Sequence, residues 1–155
     1  MTYLVPYSQA TLMYEADEVA SEVVATPGSM LDYVAKKLPE FLPIIKEAGR
    51  FKFYNATERS YTLFVPKSLP ADFPSMDPNT SLRILNMSTV PGVITTKMLS
   101  NNMIVYPLAY PKNNLHVTKS AGGVIKVEGH TLTEGDIICV NGIIHVLDGL
   151  LLPAY

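Results

Sequence analysis

Cys139, His145 and Asp148 fall close together in the stretch CVNGIIHVLDGLLLP, residues 139–153. A thiol, an imidazole and a carboxylate are the parts of a nucleophile, its base and the group that orients the base. Such a set also needs an oxyanion site, and no motif in the chain supplies one. Architecture is the better reading. Cys139 lies in an apolar run and reads as a small buried hydrophobe, inert as a nucleophile. His145 reads as a hydrogen-bonded packing residue, and Asp148 as a strand-end residue that satisfies backbone donors. His116, His130 and His145 lie in different segments without metal-ligand spacing. SAGGVIK, residues 120–126, lacks the Gly-Lys-Ser/Thr ending of a phosphate loop, so a hairpin turn explains its glycines. No catalytic residue, metal, cofactor or small-molecule substrate is expected, and the chain is not read as an enzyme.

The elements that hold these residues follow from local pattern. Asn141-Gly142 between two apolar runs is a strong hairpin signal, and a type I′ turn needs φ > 0 at both central residues. Residues 137–140 and 143–147 then pair as strands. Both faces of these strands are apolar, which predicts burial on both sides.

Composition bounds the rest. A hydrophobic content of 48% with 17% charged residues, in 155 residues, fits one globular domain with its own core and excludes a disordered chain. A net charge of −2 argues against nucleic acid as a partner. The charge is uneven: residues 1–35 carry Glu15, Asp17, Glu18, Glu22 and Asp32 and no Lys or Arg. A lone cysteine forms no internal disulfide. No stretch is long and apolar enough to be read as a membrane span. The first residues lack a basic start and a continuous apolar run, so no signal peptide is read.

Residues 1–25 read as an arm or irregular lead-in, with one helical turn over residues 15–24, and residues 26–155 as a single domain. Ser29 is a good N-cap with Asp32 three residues on, and Met30, Leu31, Val34 and Leu38 form a helical stripe. A second helix follows Pro39 and ends at Gly49. Residues 61–66 read as a strand closed by Pro66, and Asp77-Pro78 as the cap and first residue of another helix. Pro91-Gly92 is a turn, and strands dominate from residue 103 onward. Helices first and strands later predict an α+β fold with an antiparallel sheet system.

Three segments carry a resemblance that spans residues 29–153. YTLFVPKSLPADF contains Phe64 and Pro66 and resembles the first signature block of the fasciclin domain family. LRILNMSTVPGVIT, with Pro91-Gly92, is similar to its central block. GDIICVNGIIHVLDGLLLP, with Asp136-Ile137, Asn141-Gly142, His145 and Pro153, is similar to its second signature block. The resemblance implies a wedge-shaped β-sandwich decorated by helices, without catalytic activity, acting in adhesion, matrix association or protein–protein contact. Where the family commonly has an adhesion-linked Tyr-His pair, this chain has Met87 and Ser88. Glu134, Gly135, Asp136, Ile137 and Ile138 match in part an adhesion-linked acidic segment of the family.

The expected function is a protein–protein interaction or structural module. The Met1 start, the missing signal peptide and the acidic arm favour a small component of a larger assembly, such as a virion shell or an intracellular scaffold. The alternative is a cell-adhesion or extracellular-matrix domain from a secreted protein. The partners are other proteins, read as neighbouring chains. The arm is expected to meet one of them through Tyr3, Tyr7 and Tyr14, since aromatic residues are favoured at contacts.

Overall fold

The structure, a computed structural model, describes residues 11–16, 19–70, 73 and 77–153. It begins with a hairpin of β1 (Thr11–Ala16) and β2 (Val19–Val24), paired from Thr11 opposite Val24 to Ala16 opposite Val19. Where a helical turn was expected over residues 15–24, Glu15 and Ala16 end β1 and Val19–Val24 form β2. Val19, Val23 and Val24 are β-branched, and Glu15 and Glu22 gave a false helical cue. Tyr3 and Tyr7 lie outside the described residues. Tyr14 lies in β1.

Among the described residues four α-helices follow or interrupt the strands. α1 (Met30–Lys37) starts where expected: the Ser29 hydroxyl accepts from Asp32 N–H at 3.1 Å. Asp32 Oδ2 in turn accepts from Gly28 N–H at 3.0 Å, which ties the residue before the cap to the first turn. α2 (Leu42–Glu47) ends at Ala48, and Gly49 takes φ +67, the left-handed C-terminal position expected of it. α3 (Phe51–Asn55) is short and carries no cap motif in the sequence. α4 (Pro78–Ser88) is capped by Asp77, whose carboxylate accepts from Thr80 N–H at 2.7 Å.

The remaining strands are β3 (Tyr61–Pro66), β4 (Thr89–Pro91), β5 (Met103–Val105), β6 (Leu115–Lys119), β7 (Ile125–Val127), β8 (His130–Cys139) and β9 (Gly142–Leu147). They form one seven-stranded sheet in the order β4-β3-β9-β8-β7-β6-β5. The α+β class holds. The sheet is mixed, however, because β3 and β9 run parallel, with Phe64 opposite His145. Pairing of two distant segments side by side could not be read from local turns.

Two apolar cores lie on the two faces of that parallel pair. Leu63, Val65, Ile144 and Val146 face α1, α2, α3 and α4 and join Met30, Leu31, Ile45 and Leu85. Phe64 and Leu147 point the other way, into a core shared with Val105, Leu115, Val117 and Val127. β5, β6 and β7 are far from β3 in the ladder, yet their residues meet Phe64. The sheet therefore curls over itself, where a sandwich of two sheets was expected. β8 makes the corner: it pairs with β7 at one end and β9 along the rest, with register shifts between Leu132 and Glu134 and between Glu134 and Ile137. Such bulges bend a strand.

The last hairpin exists but differs in its turn. Cys139 pairs with Gly142, so Val140 and Asn141 occupy the turn, and Asn141 does not adopt φ > 0. The turn is therefore not type I′. Gly142 begins β9 at φ +148, and a Cβ there would stand 2.0 Å from the Tyr61 carbonyl oxygen. Glycine serves close passage of β9 beside β3, not turn chirality. The burial expected on both faces holds for β9 alone, since Ile138 and Val140 are exposed. Gly142→Ala should lower the unfolding free energy by at least about 3 kcal/mol, combining backbone strain with a clash that only a shift of β3 relieves. Urea denaturation measures this, and an unchanged midpoint would contradict the close approach.

Candidate interaction face on strand β8

His145 has both of its ring nitrogens committed. It is fully buried. Its Nδ1 accepts from Asp136 N–H at 3.1 Å, and its Nε2 lies 2.7 Å from the Ile94 carbonyl. With Nδ1 accepting, the proton sits on Nε2 and is donated to Ile94. Burial pushes the imidazole pKa below its usual value, against the opposing pull of the Ile94 carbonyl and the Asp136 carboxylate. A neutral ring with both nitrogens occupied is a brace, as expected for a packing residue.

The brace extends into β8. Asp136 adopts φ +57 at the bulge, a conformation Asp tolerates better than most residues. Its Oδ1 accepts from Thr96 N–H at 2.9 Å and its Oδ2 from the Thr96 hydroxyl. These bonds hold the carboxyl below the usual carboxylate range. Gly135 beside it has no room for a side chain, because a Cβ would stand 2.7 Å from Thr96 Cγ2. Thr62, fully buried on β3, ties the same loop: its hydroxyl donates to Gly92 carbonyl and accepts from Ile94 N–H, both at 2.8 Å. Sequence reasoning missed Thr62 and Thr96, since a threonine near a strand gives no local sign of a long-range partner.

A second brace centres on Asn141, which is 1% exposed. Its Oδ1 accepts from Met30 N–H at 2.8 Å, and its Nδ2 donates to the carbonyls of Tyr54 and Ala56 at 2.8 and 2.9 Å. Asn55 plays a similar part, accepting from Thr26 N–H and donating to the Val24 carbonyl.

The other sequence-selected residues separate into inside and outside. Met87 and Ser88 are both buried, so the positions of the family's Tyr-His pair present nothing to a partner here. Phe64 lies in the second core, Gly92 adopts φ +86 after Pro91, and Pro153 closes the described chain half-buried. Asp148 accepts from Thr131 N–H at 2.9 Å, the expected strand-end role. Cys139 is half-buried, not fully buried as expected, and packs against the first core. Burial and the Asp32 carboxylate push its thiol up to about 11, which leaves it protonated and unreactive at neutral pH.

What remains outside is one face of β8. Ile137 and Cys139 turn inward, while Ile138, and Val140 in the turn that follows, stand out; Asp136 and Glu134 are exposed too, Glu134 beyond the bulge and opposite Val146. Ile138 is 83% exposed and Val140 60%. The braces from His145 and Asn141 hold this face rigidly from behind.

The fasciclin domain family model matches residues 36–153. The chain belongs to the fasciclin domain family. Domains of this family are generally adhesion or interaction modules. A fasciclin domain pair from the insect cell adhesion molecule fasciclin I is similar in structure, with a TM-score of 0.63 at 21% sequence identity. The match covers 89% of this chain and 57% of that one, and it shows the shared fold. No curated protein matches. No helix among the described residues is long and apolar enough to cross a membrane.

The buried neutral His145 gives this fasciclin domain a pH dependence of defined sign. Its folded pKa is lowered, so the unfolded state binds more protons as pH falls below about 6.5. Stability is fully present above that value and declines as pH falls toward the folded pKa. Unfolding free energies measured between pH 7.5 and pH 5 should show this decline, and His145→Gln should flatten it while lowering stability overall. An equal slope in the variant would remove His145 as the cause.

Proposed function

We propose that this fasciclin domain is a non-enzymatic protein–protein contact module that binds through the outward face of β8. The observation that carries the reading is the exposure of Ile138 on a braced strand whose neighbours Ile137 and Cys139 pack inward, with Val140 exposed in the turn that follows. Exposed apolar side chains on a rigid element lose little conformational entropy when covered, which favours recognition. The exposed Asp136, two residues before Ile138, gives the contact an acidic end, complementary to a partner with an apolar strip beside a cation. The partial match of residues 134–138 to the family's adhesion-linked segment agrees with this face. The reactive side chains support binding over catalysis: both ring nitrogens of His145 are engaged, and the Cys139 thiol is held protonated.

Two settings follow from the sequence: packing inside a larger assembly such as a virion shell or scaffold, and adhesion at a cell surface or matrix. Membership of the family and the likeness to an insect adhesion molecule support the second. A surface coated with the domain should support attachment of cells. The double variant Ile138→Glu/Val140→Glu should reduce attachment at least about tenfold, the scale of losing a central contact residue. Its melting temperature should hold, because exposed substitutions usually cost within about 0.5 kcal/mol. Undiminished attachment by the variant would contradict the proposed face.

A further inference from the structure

The chain separates its charges by segment. Residues 78–127 contain Arg83, Lys97, Lys112, Lys119 and Lys126 and no Asp or Glu. Residues 1–35 contain five carboxylates and no Lys or Arg. The acidic segment includes the β1–β2 hairpin, and the basic one includes β5, β6 and β7.

Each of these parts has an unmet requirement. The hairpin forms a two-stranded sheet of its own, outside the seven-stranded ladder. An isolated two-stranded hairpin is marginally stable in water, so it gains from a surface to lie on. Its strands carry Leu12, Met13, Tyr14, Val19 and Val23 beside Glu15 and Glu22. Among the described residues, its last residue is held to the body through the Val24 carbonyl, which accepts from Asn55 Nδ2 at 3.0 Å.

The basic segment presents an uncovered strip. Along β5 and the loop after it, Val105, Pro107 and Ala109 are buried, while Ile104, Tyr106, Leu108 and Tyr110 alternate outward, 37–54% exposed. The strip is fixed from below: Leu108 N–H donates to the Thr89 carbonyl at 2.9 Å and Ala109 N–H to the Asn86 carbonyl at 3.0 Å. The rings of Tyr106 and Tyr110 meet edge to face at 4.7 Å. Among the described residues β5 is also an end strand of the sheet. Ordered, exposed tyrosines are favoured at protein contacts.

We infer that the acidic β1–β2 hairpin of one copy docks on the Ile104–Tyr110 strip of a second copy, making the chain self-associate. This rests on the reading of the domain as a contact module and names one of its partners. Charge decides between the surfaces open to the hairpin. β8 carries the exposed carboxylates of Glu134 and Asp136 and repels an acidic hairpin, whereas residues 78–127 hold no carboxylate and that of Glu128, beside β6, is engaged by His116 N–H.

Sedimentation velocity on the full chain tests this. Association should be concentration-dependent at about 20 mM salt and at least about tenfold weaker at about 500 mM, where surface charges are screened. Glu15→Lys/Glu22→Lys should weaken it, and so should Lys112→Glu/Lys126→Glu. Mixing these two charge-reversed variants should restore association between them, which also shows that both are folded. Tyr106→Ser/Tyr110→Ser should weaken it with the melting temperature retained. A chain that stays monomeric at low salt, or that associates without regard to these variants, overturns the inference. The β8 reading is judged separately, by cell attachment with the Ile138/Val140 variant.

Discussion

The buried carboxamide of Asn141 is the contact on which the body of this domain depends. An amide side chain offers two donors and an acceptor oxygen, and here all are used on backbone groups at the start of α1 and the end of α3. Its oxygen satisfies the first N–H of α1, and its nitrogen satisfies two carbonyls around the end of α3. Its own backbone carbonyl accepts from Tyr61 N–H at 3.2 Å, at the start of β3. One side chain thus sets where the helices stand relative to the parallel β3–β9 pair. Gly142 follows at once because β9 must pass against the Tyr61 carbonyl.

Fixing β3 and β9 in this way fixes both cores, since each core takes alternate residues from these two strands. It also fixes what is left outside. His145 leaves β9 toward the curled half of the sheet and ties the β8 bulge and the loop at Ile94 to it. The bulge turns Asp136 toward Thr96 and leaves Ile138 and Val140 in solvent. Polar groups therefore work inside, as braces, while apolar groups on β8 and on the Tyr106–Tyr110 loop stand outside.

Local chemistry was legible in the sequence, and long-range pairing was not. Ser29, Asp77-Pro78 and Gly49 announce helix ends because a cap satisfies groups only a few residues away. The strand over residues 61–66 was clear from its β-branched and aromatic run. The parallel partnership of β3 and β9 was invisible, as neither strand carries a mark of the other. The Asn141-Gly142 signal placed the hairpin correctly and its turn wrongly. Both residues favour φ > 0, but tertiary contacts claimed the Asn side chain for α1 and α3 and the Gly for β3. Apolar residues on both faces of β8 suggested full burial, and a bulged corner strand with one open face was the outcome. The family resemblance located the signature blocks, yet only the structure separates buried Met87 and Ser88 from exposed Ile138.

Equilibrium unfolding of Asn141→Ala addresses the central claim most directly. The substitution strands the Met30 N–H and the carbonyls of Tyr54 and Ala56 in a buried site, at about 1–3 kcal/mol for each group. The account predicts a loss of at least about 3 kcal/mol, a large fraction of the 5–15 kcal/mol or so that typically holds a domain folded. A loss below about 1 kcal/mol, the scale of an ordinary surface turn residue, would contradict it.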